Sequence, residues 1–183
     1  MKYLVNRFFF SVCLLVLACL STQGQDVQHY YFRTLDIRNG LSQNTVNAII
    51  QDRHGFMWFG TKDGLNRFDG LSFRVFKREE TNLGNNFVTA LYEDEKGNIW
   101  VGTDAGVYIY DPLLEKFTSF DLKSDRGSLV KHAITLISGD EKGNIWISAD
   151  RDGLFCYNMH SGKLFNYLSD PFRGNVTRFW FEG

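Results

Sequence analysis

Cysteine is scarce in this sequence and badly placed for a disulfide framework. Of three cysteines, Cys13 and Cys19 lie in an N-terminal apolar stretch, which leaves Cys156 alone in the body of the chain. A lone thiol closes no internal bridge, so export would bring no cystine framework with it. Cys156 sits in a strand-like run with His160 four residues on, and no second pair of ligands at zinc-site spacing accompanies it. It reads as a buried structural thiol. The four histidines, His29, His54, His132 and His160, share no position in any periodic pattern, so no nucleophile-and-base arrangement stands out. Basic charge is not in excess either. Lys2 and Arg7 are the only charges in the first 24 residues, leaving 18 of the 20 basic residues against 21 acidic ones in the rest. A mildly acidic chain without a basic stripe is a poor nucleic-acid binder, because phosphate contact needs clustered Lys and Arg.

Long apolar runs are missing too. Phe8 to Leu20 is uncharged, but it is short against the ~20 residues of a spanning helix. With Lys2 and Arg7 before it and small Thr22 and Gly24 after it, residues 1–24 read as a signal peptide. An uncleaved anchor and lipid modification at Cys19, within Val16-Leu17-Ala18-Cys19, are the alternatives.

The body of the chain says one thing three times. DRHGFMWFGTKDGLNRFDGLSFRVF from Asp52 to Phe76 returns from Asp94 to Phe120 and again from Asp140 to Leu168, with Trp58, Trp100 and Trp146 spaced by 42 and 46 residues. Self-similarity at ~40–45 residues marks an array of four-stranded propeller blades. Each copy opens with an apolar strand, VNAIIQD, VTALYED or ITLISGD. A turn follows at Asp52/Gly55, Asp94/Gly97 and Asp140/Gly143, where the Asp side chain accepts backbone N–H groups and Gly supplies a positive φ. This is a structural job. A calcium loop would need further oxygen ligands at alternate positions.

The tryptophan strand is next, FMWFGT, NIWVGT or NIWISA. By the two-residue period Trp58/Gly60, Trp100/Gly102 and Trp146/Ser148 share one face, and apolar residues occupy the other. Both faces must therefore be covered, which stacked antiparallel sheets achieve. The small residue two after Trp leaves room for the adjoining sheet. Third strands start at Gly64, Gly106 and Gly153, and fourth strands are FRVFK, KFTSFD and KLFNYL.

The expected fold is all-β, a partial propeller of about three four-stranded antiparallel blades plus one extra strand. Its blades cover 44–78, 86–122 and 132–169, and a fourth starts at 175–183. Residues 25–43 are expected to supply an N-terminal strand that closes the ring. Three blades and a quarter cannot close, since propellers use 4–8. The chain is therefore expected to be an incomplete gene product or a fragment of a longer one, with an apolar blade face open at each end that invites association.

The run GFMWFGTKDGLNRFDG, with NIWVGTDAGVYIYD behind it, closely resembles the two-component regulator propeller repeat. The resemblance covers about Tyr31 to Gly183, and the third copy departs from it with Ser148-Ala149 in place of Gly-Thr and one inserted residue. It implies the N-terminal periplasmic sensor of a hybrid two-component system. Members resemble paired seven-bladed propellers followed by an immunoglobulin-like domain, a membrane span, a histidine kinase and a receiver. It also implies an oligosaccharide ligand, a homodimer in the full-length form, anchoring in the inner membrane through a later span, and control of polysaccharide-utilisation genes. This chain would then be no enzyme itself, with no metal and no cofactor.

Candidate ligand residues follow from propeller geometry. Links into the first strand and links between the second and third gather on one face. There they bring Asn44, Asn86, Lys131 and His132 together with Lys62, Asp63, Asp104, Asp150, Arg151 and Asp152. Loops on a rigid scaffold are where binding concentrates. Asp150-Arg151-Asp152 ranks first, because it is the one loop that lengthens the repeat. The bland alternative is that these are solvated turn residues. A glycan hydrolase or lyase, with paired carboxylates ~5–10 Å apart, and a protein-interaction propeller are the other functional readings.

Overall fold

Alternating apolar residues and Asp/Gly turns produce three copies of one four-stranded meander. A computed structural model of the chain describes residues 31–167. The first sheet holds β1 (Val46–Gln51), β2 (Met57–Thr61), β3 (Gly64–Phe68) and β4 (Phe73–Phe76). The second holds β5 (Val88–Glu93), β6 (Ile99–Thr103), β7 (Gly106–Asp111) and β8 (Lys116–Ser119). The third holds β9 (Ile134–Gly139), β10 (Asn144–Ala149), β11 (Gly153–Asn158) and β12 (Lys163–Asn166). All pairings are antiparallel between chain neighbours, and β1, β5 and β9 lie side by side as the inner strands. Each is a propeller blade.

The Asp of each turn is a small hub. Asp94 Oδ1 accepts the backbone N–H of Lys96 and of Asn98, both at 2.9 Å. Its Oδ2 accepts the Trp100 indole N–H at 2.9 Å and the Asn98 amide at 3.1 Å. Asp52 repeats this with His54, Phe56 and the Trp58 indole, and Asp140 with Lys142, Asn144 and the Trp146 indole. Gly55, Gly97 and Gly143 close the turns at φ of 89°, 86° and 73°, which disfavours a side chain. At Asp140, burial would raise the pKa. Hydrogen bonds from the Asn144 side chain and backbone, the Trp146 indole and the Lys142 N–H outweigh it and hold the carboxyl at about 2.

The indole, tied at its nitrogen, is aimed across the seam to the next blade. Trp58, Leu65 and Phe76 of the first sheet pack with Ile99, Val101, Tyr110 and Phe117 of the second, and Leu83 from the connecting link plugs the gap. Trp100, Val107 and Phe120 of the second repeat meet Ile134, Ile145, Ile147 and Phe155 of the third, with Val130 as the plug. Trp58 lies 5.4 Å from Tyr110 and Trp100 lies 5.7 Å from Tyr157, ring centre to ring centre. Burying one such ring is worth on the order of 5 kcal/mol by area. Both faces of the middle blade are thus covered. In the first blade the Met57/Phe59 face is only half-buried, and in the third the Trp146 face is.

The glycine two residues after the first and second tryptophans has a steric reason. A Cβ on Gly60 would lie 2.5 Å from Val88 Cγ1, and one on Gly102 would lie 2.6 Å from Ile134 Cγ2. The inner strand of the next blade approaches the second strand there too closely for any side chain. Polar contacts add to the first seam. Arg53 reaches Glu93 at 2.6 Å and the carbonyls of Glu95 and Asp94, and Arg74 pairs with Glu115 at 2.6 Å.

One expectation fails in part. Within 25–43, Tyr31 to Asp36 form no strand and Ile37–Asn39 form a single 3-10 turn. Asp36 caps that turn through the Arg38 N–H while Asn39 caps it in return, so its hydrogen bonds close locally rather than across a sheet. The compact unit begins at Leu35. The signal peptide, residues 25–30 and the expected start of a fourth blade at 175–183 lie outside the described residues.

Gly102→Val is expected to cost about 3 kcal/mol by overpacking. Combined with Ile134→Ala in urea denaturation, the double variant should lose clearly less than the two single losses added. Strict additivity would show that this contact does not limit the seam. Asp140 titrates lower folded than in an unfolded chain, where Asp has a pKa of ~3.9. Its stabilisation is therefore full above that value and lost as pH falls toward about 2. Melting scans should show wild type and Asp140→Asn converging between about pH 4 and 2. A constant gap across that range would refute the linkage.

Candidate functional site

Opposite the Asp/Gly turns, the turn joining second and third strands lies beside the start of the inner strands. Asp104 N donates to Phe87 O at 3.0 Å, Asp150 N to Ala133 O at 2.8 Å, and Gly64 N to Asn86 O at 2.7 Å. The third bond spans from the first blade to the link entering the second. The proposed ligand residues therefore do fall on one end of the blades, in two groups.

At the junction of the first two blades lie Lys62, Asp63, Asn86 and Asp104. Several are already engaged. Asp63 Oδ2 accepts from Lys77 Nζ at 2.6 Å, a bond that holds the lysine pKa above its ordinary value. Asn86 Oδ1 accepts the Arg78 N–H at 2.8 Å, and its amide donates to Glu79 at 3.0 Å, which keeps that carboxyl below its usual range. Lys62 is exposed and its ammonium lies 5.7 Å from the centre of the Phe87 ring. Asp104 is exposed. Asn44 sits apart from this group and accepts the Ile37 N–H at 3.0 Å.

The second group belongs to the third blade. Asp152 Oδ2 accepts the backbone N–H of Lys131 at 3.3 Å and of His132 at 3.2 Å, and its Oδ1 lies 2.6 Å from His132 Nδ1. The extra residue of this loop thus lets Asp152 strap the incoming link. Arg151 adopts a left-handed φ of 67° and stands 77% exposed, its guanidinium 3.8 Å from Asp150. Asn86, Asp63 and Asp152 have framework bonds, Lys62, Asp104 and Arg151 are exposed, and Asp150 is half-buried beside Arg151. Sequence reasoning did not single out Phe87. Aligning the copies one residue earlier, at Thr45, Phe87 and Ala133, would have exposed it as an isolated aromatic. Cys156 is buried with its pKa pushed up by desolvation, as suits a packing role.

Comparison with known proteins places this architecture. The two-component regulator propeller family pattern matches residues 40–63 and 82–105. Among solved structures, the chain is similar to the extracellular domain of a putative hybrid two component system from B. thetaiotaomicron. Identity is 29% with a TM-score of 0.67, over 76% of this chain and 20% of that one. It also matches the extracellular domain of a putative one component system from the same organism, at 22% identity and a TM-score of 0.61, over 73% of this chain and 20% of that. Histidine kinase P4 of Formosa agariphila is 39% identical over 72 residues, 39% of this chain and 5% of the kinase. The class these comparisons define is the four-stranded propeller blade of the two-component regulator type, seen in the extracellular domains of those systems. This chain carries the two-component regulator propeller repeat and has the fold of those domains. It spans a fifth of the solved domains and a twentieth of the kinase. Among the described residues no helix is long and apolar enough to cross a membrane.

Asp152→Ala is expected to lower stability by about 1–2 kcal/mol, because two backbone N–H groups and the His132 ring lose their partner. Arg151→Ala should stay within about 0.5 kcal/mol of wild type. Urea unfolding of the two variants side by side checks both; equal losses would count against the strap.

Proposed function

We propose that this chain is the ligand-sensing part of a periplasmic sensor in a hybrid two-component system, and that its ligand is an oligosaccharide. The observation that carries this is the 29% identity to an extracellular sensor domain over three quarters of the chain. The distribution of variation supports it. Scaffold residues repeat from copy to copy, whereas the turn at the other end reads Lys62-Asp63, Asp104-Ala105 and Asp150-Arg151-Asp152. Charged side chains on a rigid framework, beside an aromatic ring, suit hydroxyl-rich ligands. In the full-length protein, binding would shift a homodimer and so change phosphoryl transfer by a kinase carried elsewhere in the polypeptide, controlling genes for polysaccharide use. The chemistry of the chain itself is recognition.

Calorimetric titration against a panel of plant and host oligosaccharides tests this. At least one should bind, and Asp150→Ala with Arg151→Ala should weaken it by about tenfold, equivalent to ~1.4 kcal/mol. No binding by any member would overturn the reading.

A further inference from the structure

We infer that Phe87 is the stacking platform for one neutral sugar ring, with Lys62 and Asp104 as the flanking hydrogen-bond donor and acceptor; this rests on the oligosaccharide reading above. The three repeats act as an internal control. The residue immediately before the inner strand is Thr45 in the first, Phe87 in the second and Ala133 in the third, so blade packing does not require an aromatic there. Val88 next to it is fully buried, whereas Phe87 is half-buried and belongs to neither of the two core clusters. At this position the other copies carry small residues, and the ring is not among the side chains that fill the seam.

Its backbone is clamped on both sides. The Phe87 N–H donates to Asn85 Oδ1 at 2.7 Å, and its carbonyl accepts the Asp104 N–H at 3.0 Å. The preceding carbonyl, of Asn86, holds Gly64 from the neighbouring blade at 2.7 Å. The ring is thus offered from a fixed base with two side-chain torsions to order, and preorganisation of this kind lowers the entropic cost of binding. Lys62 Nζ is 5.7 Å from the ring centre, near the ~6 Å limit for a cation–π contact, and at an exposed site that contact is weak. A ligand can displace it.

Sugar rings present an apolar C–H face and a rim of hydroxyls that both donate and accept. The face suits the phenyl ring. On the rim, Lys62 supplies donors and the Asp104 carboxylate supplies acceptors. Asp63, the acid of the Lys62 turn, is occupied by Lys77, whereas Lys62 and Asp104 are exposed, the first over the ring and the second joined to Phe87 through its backbone N–H. A uronate carboxylate would be drawn by one and repelled by the other. A neutral ring satisfies both.

The test is titration of the full chain with neutral oligosaccharides (glucan, galactan, arabinan and xylan) and with oligogalacturonides. Expected are binding of a neutral member, a loss of at least about tenfold in Phe87→Thr, and retention within about threefold in Phe87→Tyr. Melting temperature should be unchanged in Phe87→Thr, since that residue occupies the equivalent place in the first repeat. Equal affinity in Phe87→Thr and wild type would overturn the platform while leaving oligosaccharide recognition standing. Preference for oligogalacturonides would overturn the neutral class, and a clear drop in melting temperature would assign the ring to packing instead. Wild type that binds no saccharide would remove the functional reading and the platform together.

Discussion

The bond from a tryptophan indole N–H to the carboxylate six residues before it is the constraint on which the blades depend. It joins a turn to a strand face at 2.7, 2.9 and 3.0 Å in the three copies. A buried indole without an acceptor would cost roughly 1–3 kcal/mol, and the same carboxylate also gathers the turn's backbone N–H groups. One acid therefore shapes the corner and sets the direction of the largest side chain in the repeat. That direction is across the seam, where the ring becomes the floor for the next blade. Glycine two residues later completes the device by admitting the neighbouring inner strand.

Because this machinery occupies one end and the middle of each blade, the opposite end is left to vary. Its turns need only connect strands, and they differ in charge, length and partner from copy to copy. Part of that variation still serves the framework. Asp152 straps the link entering the third blade and Asn86 organises the link entering the second. The remainder, Lys62, Asp104, Asp150 and Arg151 with the Phe87 ring, carries no comparable structural duty. A recognition surface on such an array can change its ligand without disturbing the seams.

Most of the fold was legible in the sequence, because the repeat supplies three readings of one pattern. Strand positions, the Asp-to-backbone turn and the space beside Gly60 and Gly102 all followed from period and residue type. The Asp–Trp bond did not, although its constant six-residue spacing was visible in every copy. A hydrogen bond across a turn depends on how side chains fold back, which alternation alone does not specify. The N-terminal strand misled for a different reason. Aromatic and β-branched residues in Tyr31 to Ile37 favour a strand, but Asp36 and Asn39 cap a local turn and close those hydrogen bonds within the segment.

What the sequence determined by itself was the repeated unit: which residues form each strand, where the corners fall, and that both faces of each sheet must be covered. Local backbone chemistry and the two-residue side-chain period suffice for that. What only the tertiary structure decided was which polar residues are spent on the framework and which are left exposed. Asp63 and Asp152 look the same in sequence as Asp104 and Asp150. They differ in whether the link leading into a blade, or the end of a fourth strand, presents a partner within hydrogen-bonding distance.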